Sequence, residues 1–165
     1  MAQDPMAMAQ AVMAIQRQAG EEMQACKNAV AAAGRGFSSE DQAEISAQAS
    51  AHPFPEGYDP NAPPSAELTA ESEAVAKRAM EAEYPENGIP PDDPRLAPID
   101  GVSMPLYAMA AKAIGWSTEE QFIGRVVSAL GIDPAAWTGI AQQWRDRITP
   151  DIVLSMYYGQ LFVAA

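Results

Sequence analysis

The chain has 165 residues, 48% of them apolar, and a formal charge of −12 from 22 acidic against 10 basic side chains. Such a balance repels phosphate backbones and anionic lipid, so neither a nucleic acid nor a membrane surface is expected as a partner, whereas a basic protein suits it. A single cysteine, Cys26, and a single histidine, His52, exclude an intrachain disulfide, a Cys-rich metal site and any site built on two histidines.

Charge and bulk divide near residue 98. Residues 1–98 carry 16 acidic and 6 basic side chains and draw their apolar content mostly from Ala and Met. Residues 99–165 carry 6 and 4, and hold all three Trp and three of the five Tyr. Burying one large side chain contributes about 1.5–3 kcal/mol, and Ala contributes little. The expectation is an all-α protein: a compact four-helix domain over 99–165, an Ala/Met-rich helical extension over 1–51, and between them an acidic, Pro-rich strap over 52–98 with one helix at about 65–83.

In chain order, Asp4-Pro5 reads as a helix start, with Asp as cap and Pro at the first helical position. High helix propensity then runs to Ala33, and Gly34-Arg35-Gly36 ends it. Ser38 or Ser39 opens a second helix to about Ala51. His52 to Pro64 holds five prolines in thirteen residues, which excludes helix and central strand. The third helix is acidic on most sides, with Leu68, Val75 and Met80 as its few anchors. Tyr84 to Pro98 is Pro-rich again, and Tyr84, Ile89 and Leu96 are the side chains suited to plug into a folded surface.

Four helices follow, at about 103–114, 117–130, 133–147 and 150–164. Three of them open on one phrase: a Gly, an apolar residue, a capping Ser or Asp, then an aromatic four or five positions on. The copies begin at Gly101, Gly115 and Gly131. Val102 with Tyr107, Ile132 with Trp137 and Ile148 with Val153 have the spacing of hydrophobic staples, Ser117 with Glu120 that of a capping box, and Thr149 precedes Pro150 as a fourth cap. The last helix is apolar almost all round, so it is central or has a partner on its second face.

No arrangement of residues points to catalysis. Cys26 has no neighbouring base, although Lys27 could lower its pKa. The carboxylate pairs lack the alternation and Gly of a calcium loop. No Gly-rich phosphate cradle is present, and Arg145-Asp146-Arg147 suits a helix C-terminus. No catalytic, cofactor-binding or metal-ligating residue is therefore assigned, no cofactor is expected, and the enzyme reading is not favoured. Met6, Met13, Phe54, Tyr58, Tyr158 and Phe162 are the candidates for binding a partner, since Met and aromatics are enriched at protein interfaces.

The leading expectation is a non-enzymatic protein-binding module, such as a small acidic bacterial adaptor, chaperone-like or immunity-type protein. Two alternatives stand beside it: a homo-oligomer assembled through the last helix, and a small-ligand or enzymatic domain with a pocket among Trp116, Trp137, Trp144 and Tyr157. Met1–Gln10 lacks the basic and apolar runs of a secretory signal, and Ile152–Ala165 is too short to span a bilayer, so a cytoplasmic location is expected.

Overall fold

A computed structural model describes residues 3–165. Among them the regular structure is all-α: α1 (Pro5–Ala32), α2 (Ser39–Ala51), α3 (Ala66–Glu81), α4 (Met104–Ile114), α5 (Glu120–Ala129), α6 (Pro134–Ile148) and α7 (Ile152–Ala164), with a 3-10 turn at Pro94–Leu96. No helix among the described residues is long and apolar enough to cross a membrane.

α7 packs against α1, α4 and α6, and α4 also meets α1, α2, α5 and α6. The all-round apolarity of α7 is explained by these several neighbours. α1 makes no core alone but supplies one face to it: Ala11, Ala14, Ile15, Ala19 and Met23 are buried along a single stripe. The three alanines let the two backbones approach closely, and Ile15 and Met23 fill the space between. The core cluster thus runs from Ala11 through Tyr84 and Ile89 to Trp144 and Leu161, across the composition boundary at residue 98.

Two helix ends follow the same motif. Arg35 N–H donates to Val30 O (3.0 Å) and Gly34 N–H to Ala31 O (3.0 Å); Ile132 N–H donates to Val127 O (2.9 Å) and Gly131 N–H to Ser128 O (2.9 Å). These are Schellman closures, each with its Gly at positive φ. The first copy of the repeated phrase does something else. Asp100 (φ 48°) and Gly101 (φ 78°) are the centre of a tight turn in which Ile99 and Val102 exchange N–H···O bonds of 3.1 and 2.9 Å. Positive φ at both central residues is the type I′ signature. The buried Trp144 indole then donates to Val102 O at 3.2 Å and fastens the turn to α6.

Three expected caps differ. Asp4 occupies the N-cap of α1 but accepts no bond with its side chain. α5 begins at Glu120 with Glu119 as its N-cap, so the Ser117–Glu120 box does not form; Ser117 instead donates to Gln48 Oε1 (2.9 Å) and accepts from Glu119 N–H (3.3 Å). Thr149 is the C-cap of α6, and Asp151 caps α7 through the N–H groups of Val153 and Leu154. α6 runs to Ile148 before Pro150 is reached, and an ionised Asp with two amide partners is a stronger cap than Thr.

The strap is stitched to the N-terminal segment by two glutamines, Gln3 just before α1 and Gln18 within it. Gln3 Nε2 donates to Tyr84 O (3.0 Å) while Tyr84 N–H donates to Gln3 Oε1 (3.0 Å). Gln18 repeats this with Ile89, at 2.6 and 2.8 Å. Each amide satisfies both polar groups of a peptide whose side chain is buried. Further along, Arg95 pairs with Asp93 (2.9 Å) and Asp151 (3.0 Å). Arg147 donates to Arg95 O and Ala97 O (3.1 and 2.7 Å) with its guanidinium 4.7 Å over the Trp144 ring. Of the Arg-Asp-Arg segment, Arg147 is thus engaged in holding the strap, while Arg145 and Asp146 bond to Gln142 on α6 itself.

Candidate docking surface

One segment stands apart from this packing. Between His52 and Ala82 no residue is buried. Pro53 to Pro64 cannot be helical, and it folds through local turns: Tyr58 N–H donates to Pro55 O (3.0 Å), and Asn61 N–H to Asp59 Oδ1 (2.9 Å). The first turn sets Phe54 and Tyr58 side by side, ring centroids 5.3 Å apart, and leaves them 47% and 56% exposed.

α3 then starts on a well-formed cap, with Ser65 Oγ accepting from Leu68 N–H at 3.1 Å. Its far end is moored by Tyr84, whose hydroxyl donates to Ala79 O at 2.9 Å. Leu68, Val75 and Met80 were expected to anchor the helix to the core. They are instead 53%, 38% and 64% exposed. Leu68 and Val75 are seven residues apart, so they share one stripe with Ala79, and Met80 stands beside it. The surrounding field is acidic: residues 52–83 carry seven Asp or Glu against Lys77 and Arg78.

The other candidates fall on separate patches. Met6 and Met13 share the outer face of α1, 70% and 68% exposed. Tyr158 is half-buried and continues a run of rings from the core: Trp144 to Tyr107 at 6.2 Å, Tyr107 to Tyr158 at 5.5 Å, Tyr158 to Phe162 at 6.1 Å. Burial pushes the Tyr158 and Tyr107 hydroxyls above the ordinary phenol range, with Arg145 pulling both partly back. Among the described residues no hydrogen bond or ring pair joins these patches to the Phe54–Tyr58 loop. Exposure of α3 is the feature that its sequence announced least directly; the signal was a helix acidic on most sides between two Pro-rich stretches.

The proposed aromatic pocket does not assemble. Trp116, one residue past the Gly115 turn that ends α4, is 56% exposed, while Trp144 and Tyr157 are sealed in the core. Trp137 lines a cavity of about 350 Å³ between α5 and α6 together with Thr138, Ala141 and Arg145. The Cys26 thiol is half-buried, donates to Met109 Sδ at 3.7 Å, and is raised above its ordinary pKa by burial, the reverse of nucleophile activation. Lys27 spends a bond on Ala164 O (2.9 Å). Among the described residues no group of three or more His, Cys, Asp and Glu is arranged to hold a metal ion. Comparison with protein families, curated proteins and solved structures finds no match to this chain.

Proposed function

We propose that the chain is a non-enzymatic protein-binding module, an acidic adaptor of the bacterial cytoplasm that docks a basic protein segment along the Phe54–Met80 arm. The observation that carries this reading is α3: a 16-residue helix with no buried residue and an apolar stripe open to solvent. A helix this short is marginal in water by itself and usually takes its stability from packing an apolar face. Covering Leu68, Val75 and the Phe54–Tyr58 pair would supply that packing. The acidic rim would steer a basic partner and exclude acidic ones.

The faces of α7 are occupied by α1, α4 and α6, and its exposed apolar edge is Phe162 and Val163. The test is reconstitution with a purified partner from the native source. A 1:1 complex is expected to weaken at least tenfold in the Leu68→Ser/Val75→Ser variant and to weaken with added salt. A partner that binds the variant as tightly as the unaltered chain refutes the docking surface. Turnover of a small molecule by the chain refutes the non-enzymatic reading.

A further inference from the structure

The stripe along α3 has an internal order of its own. Leu68, Ser72, Val75 and Ala79 follow one another at spacings of four, three and four, the spacing of a seam along which two helices pack knobs into holes. Leu68, Ser72 and Val75 are exposed and Ala79 is partly so. The seam is about 16 Å long at the helical rise of about 1.5 Å per residue. The close helix–helix packing of the fold joins the other six helices and leaves α3 out.

Charge beside the seam is divided along its length. One flank carries Glu67 and Glu71 in the first half of the helix and Arg78 in the second, and the other flank, Thr69, Ala76 and Met80, is uncharged. Glu71 and Arg78 have no ion-pair partner among the described residues, whereas Lys77 and Glu81 pair with each other at 4.0 Å. Glu73, Lys77 and Glu81 stand on the side of the helix away from the seam. Exposed charges farther apart than about 8 Å are largely screened at physiological salt.

This order is self-complementary about a two-fold axis. In an antiparallel pair Leu68 meets Ala79 of the second copy and Ser72 meets Val75, a large side chain against a small one at every level. The same arrangement sets Glu71 beside Arg78 of the second copy, twice by symmetry, and opposes the two helix dipoles. A parallel pair would stack Leu68 on Leu68 and Ala79 on Ala79, and would gather the Glu67 and Glu71 carboxylates of both copies at one end.

We infer that, before a partner is bound, two copies of this chain pair antiparallel through α3 and so mask the stripe that the partner takes. The inference rests on reading that stripe as a docking surface and adds how the surface is regulated: the partner displaces the second copy. One pair of helices of this length buries less than the roughly 1,200 Å² of a stable interface, so the dimer is weak and exchanges rapidly.

Sedimentation equilibrium of the full chain, from about 10 μM to about 1 mM, tests this without any partner. A reversible monomer–dimer equilibrium is expected. Glu71→Arg and Arg78→Glu should each weaken it at least fivefold, since each sets like charges together at two places, and the double variant Glu71→Arg/Arg78→Glu should recover it to within threefold of the unaltered chain. All three change exposed side chains and should leave the melting temperature in place. A chain that stays monomeric throughout, or a dimer that is indifferent to both single changes or is not recovered by the double one, overturns the proposal. The docking reading fails separately: a basic partner gains from Arg78→Glu and loses from Glu71→Arg, with no recovery in the double variant, so its binding and the dimer respond oppositely to Arg78→Glu.

Discussion

Gln18→Ala separates a strap that is docked from one that merely lies nearby. Gln18 exchanges two hydrogen bonds with the backbone of Ile89, at 2.6 and 2.8 Å, and Ile89 is 2% exposed. Truncation leaves one N–H and one C=O without partners beside a buried side chain. Each such group costs about 1–3 kcal/mol. The half-buried setting of Gln18 lets water recover part of that, so the expected loss is about 2–4 kcal/mol, or about 5–15 °C in melting temperature for a chain of this size. Urea unfolding followed by tryptophan emission reads it, since Trp144 is fully buried. Gln24→Ala is the control, because Gln24 bonds only to Asn28 on the exposed side of α1. Gln18→Glu should fall near the alanine variant at neutral pH, as a carboxylate accepts from Ile89 N–H but offers no donor to Ile89 O. A Gln18→Ala midpoint within about 0.5 kcal/mol of the Gln24→Ala control, the usual scatter of surface changes, would refute the reasoning.

Gly88→Ala should cost at least 1–2 kcal/mol, roughly the left-handed penalty alone, because Gly88 has φ +84° and an added Cβ would sit 2.4 Å from Gln18 Oε1; combined with Gln18→Ala the losses should be less than additive in a double-mutant cycle. Glu22 has its carboxyl raised by burial above the ordinary value, so its ionised form opposes folding at neutral pH. Glu22→Gln is expected to raise the unfolding midpoint at pH 7, with the gain shrinking as pH falls through the folded-state pKa; no gain at pH 7 counts against it. Asp93 has the opposite sign: the Arg95 side chain holds its carboxyl below the usual range, so its contribution is complete above the unfolded pKa and lost as pH falls through the folded one. Arg95→Gln should therefore flatten the acid limb of the stability–pH curve, and an unchanged limb would show that the pair contributes nothing. Leu154→Ala, at a fully buried side chain, should cost about 2–5 kcal/mol, whereas Leu68→Ala on α3 should stay within about 0.5 kcal/mol in the same unfolding assay.

The helices, their order and most of their ends were legible along the chain, because caps, staples and Gly stops act over four or five residues. Asp133 caps α6 and Ser103 caps α4 where the repeated phrase placed them. The misplaced starts at Ser117 and Thr149 have long-range or competing causes: Ser117 is drawn to Gln48 on α2, and Asp151 outcompetes Thr149 two residues later. Of the six candidate residues, the exposure of Phe54 and Tyr58 side by side was legible, since the Pro-rich loop that displays them is a local feature. The exposure of Leu68 and Val75 was not, because an apolar stripe reads the same whether it meets a core or water.

Composition and local pattern thus set the helical class, the acidity, the Pro-rich breaks and the absence of paired catalytic histidines or cysteines. Packing in three dimensions settled which apolar faces find one another. α1, poor in bulk, joins the core because its alanines let α7 come close and because two glutamines tie the strap across it. α3, with 8 apolar residues of 16 against 17 of 28 in α1, is left outside. The difference lies in contacts between residues more than 60 positions apart, such as Gln18 with Ile89, and such contacts depend on shape and on partners that no stretch of sequence carries within itself.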